Sequence, residues 1–91
     1  MTREDLKNRI AASTGVYATV VDEILVEAME EIRGEVNRGG YVSLQGFGTF
    51  YLHHTPEKIG RDIHRGVPVI IPARSKPDFR VSRQWKIESN H

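Results

Sequence analysis

The stretch from Gly46 to Val81 narrows the fold most. It opens on a compact knot, Gly46-Phe47-Gly48-Thr49-Phe50, and runs outward through a polar segment broken by Pro56. It turns between Gly60 and Gly66, then returns through Val69-Ile70-Ile71-Pro72-Ala73 to Pro77-Asp78-Phe79. Proline cannot donate to a sheet ladder, so a segment with Pro56 on the way out and Pro68 on the way back reads as an edge or a free ribbon. It is too basic, too long and too poor in large apolar residues near its tip for an ordinary buried hairpin. The expectation is an arm reaching out of a small body.

Charge gives the arm a target. Residues 1–52 hold five Lys/Arg against eight acids, whereas residues 53–86 hold eight Lys/Arg against three acids. The formal net charge of +1 therefore hides an acidic half and a basic half. Such asymmetry suggests that one half packs and the other holds a polyanion, with nucleic acid the leading candidate.

The acidic half reads as two helices. Thr2 and Asp5 stand at capping-box spacing, Leu6 and Ile10 mark an inner face, and Ser13-Thr14-Gly15 ends the helix. Val21, Leu25, Ala28, Ile32 and Val36 then recur at steps of three and four, widened by Val20, Ile24 and Met29. Gly34 weakens this second helix by roughly 1 kcal/mol relative to Ala. Arg38 suits its negative C-terminal end, and Gly39-Gly40 supplies a stop. Tyr41 to Gln45 alternates as a half-buried strand, and the glycines around Phe47 mark a tight turn or bulge. Thr49 to Leu52 resumes strand character, Val67 to Ile71 is the return strand, and Phe79 and Val81 re-enter the body. Ser82 caps a last short helix that holds Trp85.

Several functions are disfavoured. At 91 residues this is one small domain for which oligomerisation is a common source of additional core. No cysteine is present, so neither a disulfide nor a thiolate zinc site can form. No apolar run approaches the roughly 18 residues a membrane span needs, and the polar N-terminus lacks a signal-peptide core, which points to the cytoplasm. His53 and His54 are adjacent and so point to opposite faces of a strand, His64 has no partner at ligand spacing, and His91 is terminal; no metal site or cofactor is expected. No nucleophile and general-base pair is in view, and no glycine loop opens a helix to cradle phosphate, so the chain is not expected to be an enzyme with a small-molecule substrate.

Together the helix pair, the knot from Gly46 to Phe50, Gly60-Arg61, Gly66, Ile71-Pro72-Ala73, Pro77 and Phe79 resemble the HU and integration host factor family of bacterial DNA-bending proteins. The marks fall in order, without insertions, over essentially the whole chain. The resemblance implies an α+β intertwined dimer, homodimeric or heterodimeric. Residues 1–40 would form the helical dimerisation base and residues 41–81 a three-stranded saddle with a long β-ribbon arm. Residues 82–91 would be a short C-terminal helix and tail. It further implies a core shared between protomers, with Leu25, Ile32, Leu44, Phe47, Phe50 and Phe79 as its members. Phe47, Phe50, Phe79 and Trp85 thus read as core and interface rather than as platforms for bases. The implied function is architectural and nucleoid-associated: binding double-stranded DNA through the minor groove with low sequence specificity, and bending or compacting it.

In that family the arm tip reads Gly-Arg-Asn-Pro, and the proline wedges between base pairs. Here it reads Gly60-Arg61-Asp62-Ile63. If the tip is strand-like, Arg61 and Arg65 flank Ile63 on one face, placing two guanidiniums and an aliphatic wedge at an electronegative minor groove. Asp62 reads as turn chemistry, with pairing to Arg61, His64 or Arg65 left open. Lys58, Arg74, Lys76, Arg80, Arg83 and Lys86 read as phosphate neutralisers. Histidines 53, 54 and 64 lie in the arm, so DNA affinity is expected to rise toward about pH 6 as they protonate. The alternative is a dimer of the same fold with weakened DNA binding that uses its arms or acidic helices for protein contacts.

Overall fold

A computed structural model describes residues 1–90; His91, one of the four histidines considered above, lies outside the described residues. Two units emerge, Met1–Gly34 and a second beginning at Glu35. The first helix, α1, spans Arg3–Thr14. Its capping box is complete, with the Asp5 N–H donating to the Thr2 hydroxyl at 3.3 Å and the Thr2 N–H donating to the Asp5 carboxylate at 3.0 Å. Gly15 ends the helix at φ 76°, where a side chain would be strained. The second helix, α2, spans Ala18–Asn37 and runs through Gly34 unbroken. Arg38 lies just beyond its end and donates to Glu35 at 2.8 Å.

The second unit carries the strands. β1 (Val42–Leu44) is shorter than expected because Phe47 N–H already turns back to the Leu44 carbonyl at 2.9 Å, with Gly46 left-handed at φ 77°. β2 (Gly48–Thr55) pairs antiparallel with β1 on one side and with β5 (Arg74–Val81) on the other, giving the sheet order β1-β2-β5. Because β1 reaches only from Gly48 to Phe50, the remainder of β2 pairs with β5 alone. His53 to Thr55 thus belongs to the body sheet along an open edge. β3 (Lys58–Asp62) and β4 (Val67–Ile71) form a separate two-stranded ribbon between β2 and β5 in the chain. Pro68 stands opposite Arg61 in this ribbon, where no third strand pairs. The last helix, α3 (Arg83–Ser89), starts on Ser82, whose hydroxyl accepts from the Trp85 N–H at 3.1 Å.

The tip turns within Gly60 to Gly66, with Asp62 at the turn, as expected; the conditional strand-like run past Asp62 is not taken. β3 stops at Asp62, and residues 63–66 form a turn closed by Gly66 N–H donating to the Asp62 carbonyl at 2.7 Å. Arg61, Ile63 and Arg65 therefore do not alternate along one strand face.

One face of the body sheet is aromatic. Phe50 and Phe79 are cross-strand partners with ring centroids 4.7 Å apart. Phe47 stacks on Trp85 at 4.9 Å and tilts against Phe79 at 5.3 Å. Gly48 is needed beneath this cluster, because a Cβ there would collide with the Phe79 ring and the Arg80 carbonyl. Burial nonetheless remains thin. The apolar side chains withdrawn from solvent among the described residues are Val21 and Val36, while Leu44 and Phe47 keep 40% and 43% of their surface exposed. Leu25, Ile32, Phe50 and Phe79 are half-buried.

Candidate nucleic-acid interface

Side chains alternate across a strand, so the aromatic face of the sheet dictates a second face opposite it. Register assigns its members: Thr49 opposite Arg80, Tyr51 opposite Asp78, His53 opposite Lys76, and Thr55 opposite Arg74. Directly opposed residues share a face. Three cations are thus aligned along β5, each beside a hydroxyl, phenol or imidazole from β2. His53, Thr55, Arg74 and Lys76 line one open concavity, and Tyr41, Thr49, Tyr51 and Arg80 line the next.

The row is partly ordered by its own contacts. The Arg80 guanidinium sits 5.3 Å from the Tyr51 ring centroid, a cation–π geometry. The Tyr51 hydroxyl donates to Asp78 at 3.4 Å, and the Phe79 N–H donates to the same carboxylate at 2.8 Å. His54 faces the other way and shares a 2.5 Å hydrogen bond with Ser75. Arg83, at the start of α3, lines a concavity with Arg80, and Lys86 lies exposed one turn further along the helix. In the ribbon, Lys58 and Arg61 are exposed, and Ile63 at the apex is 90% exposed.

Pairing separates these cations from four of the five in the acidic half; Arg9 there makes no ion pair among the described residues. Arg3 bonds Asp22 at 3.0 Å, Lys7 bonds Glu4 at 2.7 Å, Arg33 bonds Glu30 at 2.9 Å and Arg38 bonds Glu35 at 2.8 Å. By contrast, Lys58, Arg61, Arg74, Lys76, Arg80, Arg83 and Lys86 make no ion pair among the described residues; Arg65 approaches Asp62 at 3.9 Å. Unpaired, exposed cations in a row can neutralise a row of phosphates, releasing their condensed counterions. No group of His, Asp and Glu capable of holding a metal ion occurs among the described residues, and no helix is long and apolar enough to cross a membrane.

Sequence reasoning selected the cations but missed their neighbours. Thr49, Tyr51 and Thr55 join the face through their pairing with β5, and His53 enters it as Lys76's partner. Strand alternation alone relates Thr49, Tyr51, His53 and Thr55 to one another, but not to Arg80 or Arg74.

A helix pair, a three-stranded sheet with one cationic face, and a separate two-stranded ribbon define an architectural DNA-binding class of fold. The bacterial DNA-binding protein family matches residues 1–90, and the chain belongs to that family. Among curated relatives, integration host factor subunit beta of Glaesserella parasuis is 31% identical over 87 residues, covering 94% of each chain. The subunit beta of Halorhodospira halophila is 30% identical over 91 residues, covering 99% of this chain and 89% of that one. Among solved structures, an HU–DNA cocrystal from Anabaena superposes with a TM-score of 0.82 at 27% identity, covering 99% of this chain and 98% of that one. An HU mutant from Thermotoga maritima, at 21% identity and a TM-score of 0.74, shares the fold over 99% of this chain and all of that one.

Proposed function

We propose that this chain acts as a dimer that binds double-stranded DNA through the minor groove, bends it with low sequence preference, and does so at the nucleoid. The row of unpaired cations on the sheet face carries this reading, and the similarity to an HU protein crystallised with DNA supports it. Arg74, Lys76, Arg80, Arg83 and Lys86 contact phosphates from the body, and Lys58, Arg61 and Arg65 do so from the ribbon. Such contacts supply affinity and register without reading sequence. Ile63 enters the groove as an apolar wedge; unstacking a base step costs about a few kcal/mol, offset by the contacts that bending permits. Residues 1–40 supply the dimer interface. Leu25, Ile32, Leu44, Phe47, Phe50 and Phe79 complete a core with the second protomer, which accounts for the exposure of Leu44 and Phe47 in a single chain. The function is non-enzymatic, with no cofactor.

The test is duplex affinity measured against salt, with dye pairs at the duplex ends reporting the bend, for the native chain and Ile63→Ala. A slope equivalent to several phosphates is expected, with bending lost in Ile63→Ala. Absence of duplex binding at low salt would overturn the proposal and favour a protein-contact role.

A further inference from the structure

Ile63 poses a mechanical problem as a wedge. A proline ring fixes its own φ; an isoleucine backbone stays free, and a side chain driven between stacked bases achieves nothing if its backbone yields first. The turn around Ile63 carries a set of contacts that addresses this. Gly66, left-handed at φ 68°, donates its N–H to the Asp62 carbonyl at 2.7 Å. Within that ring the Asp62 carboxylate oxygen Oδ1 accepts from the His64 N–H at 3.0 Å and from the Arg65 N–H at 3.3 Å. The other oxygen, Oδ2, lies 3.9 Å from Arg65 Nε. Asp62 thus grips the main chain on the far side of Ile63 from two points, while being anchored itself at the end of β3 opposite Val67.

We propose that Asp62 is the positioning residue of the wedge. Its carboxylate ties the amides after Ile63 to the strand end before it, so that a side chain does here what a pyrrolidine ring does at a proline. The inference rests on Ile63 being the wedge. Exposure agrees with the assignment: the Asp62 side chain is 30% exposed and that of Arg65 81%, so the acid is turned into the loop and the guanidinium outward. A carboxylate otherwise out of place beside phosphates is thereby largely withdrawn from them. Hydrogen bonds from backbone N–H groups to an ionised acceptor are among the stronger ones, and asparagine could accept the same two through its own side-chain oxygen.

The experiment compares four full-length proteins on dye-labelled duplexes: native, Ile63→Ala, Asp62→Ala and Asp62→Asn. Bending and affinity are read separately, and amide exchange at His64 and Arg65 is followed in the free proteins. The native bend is expected to persist in Asp62→Asn and to be lost in Asp62→Ala. Affinity in Asp62→Ala should hold or rise, because a negative charge has left the arm. His64 and Arg65 amides should be protected in the native protein and in Asp62→Asn, and exposed in Asp62→Ala. A purely electrostatic role for Asp62 would make the alanine and asparagine variants alike, and that result overturns the proposal. So does a native bend in Asp62→Ala, or unprotected amides in the native protein. Ile63→Ala isolates the premise. If it bends DNA as the native chain does, the wedge itself is removed; if it fails to bend while Asp62→Ala succeeds, only the role of Asp62 falls.

Discussion

Lys76→Ala is the sharpest probe of the cationic face. Lys76 is exposed, faces His53 across the sheet and makes no ion pair among the described residues, so its removal should alter folding stability by no more than about 0.5 kcal/mol. In a homodimer the substitution deletes two cations. Each phosphate contact on B-form DNA contributes about 0.9 to the slope of log affinity against log salt, so the slope should become less negative by about 1.8. At about 0.1 M salt that corresponds to about 60-fold weaker binding, or about 2.5 kcal/mol. The loss should be the same on duplexes of unrelated sequence, because phosphate contacts carry no base information. The assay is a fluorescence-anisotropy titration over a series of salt concentrations. Arg33→Ala, which removes a cation already bonded to Glu30, serves as the control and should leave the slope unchanged. An unchanged slope for Lys76→Ala would refute the assignment of this sheet face to DNA, and a change of about 0.9 would mean that one protomer alone makes the contact.

Two further outcomes are expected. Gly48→Ala should destabilise the fold by about 1–3 kcal/mol, since its Cβ would press on the Phe79 ring and the Arg80 carbonyl; a lowered denaturant midpoint checks this. Ser82→Ala removes the hydroxyl that accepts from Trp85 N–H and should cost about 1 kcal/mol, read as reduced protection of the first amides of α3 in hydrogen exchange.

Local features were legible in the sequence where they depend on near neighbours. Thr2 and Asp5 cap α1 because the two residues reach each other across a single turn, and the stripe from Val21 to Val36 follows directly from helical period. Gly15 and Gly39 end segments because both take positive φ. Features that depend on register were hidden. Thr49 meets Arg80 across a separation that spans the whole arm, and nothing local to either residue announces it. At the tip the turn and the part of Asp62 in it were legible, but the face that Arg61, Ile63 and Arg65 take was not. Asp62 can sit in an extended run or accept from amides ahead of it, and Gly66 can turn either way, so the same letters fit both; the two hydrogen bonds from His64 and Arg65 decide for a closed turn.

The ribbon is inserted between two strands that already pair to their ends: Thr55 meets Arg74, and everything from 56 to 73 is a loop closed by that rung. Closure entropy grows only with the logarithm of loop length, so doubling such an insertion costs about 0.6 kcal/mol. The body is therefore nearly indifferent to what the loop contains. Reach, apex and charge of the arm can be exchanged, lengthened or trimmed without renegotiating the aromatic cluster beneath it. The apex and the aromatic cluster thus answer to separate stretches of the chain, whereas β5 answers to both, carrying Phe79 on one face and Arg74, Lys76 and Arg80 on the other.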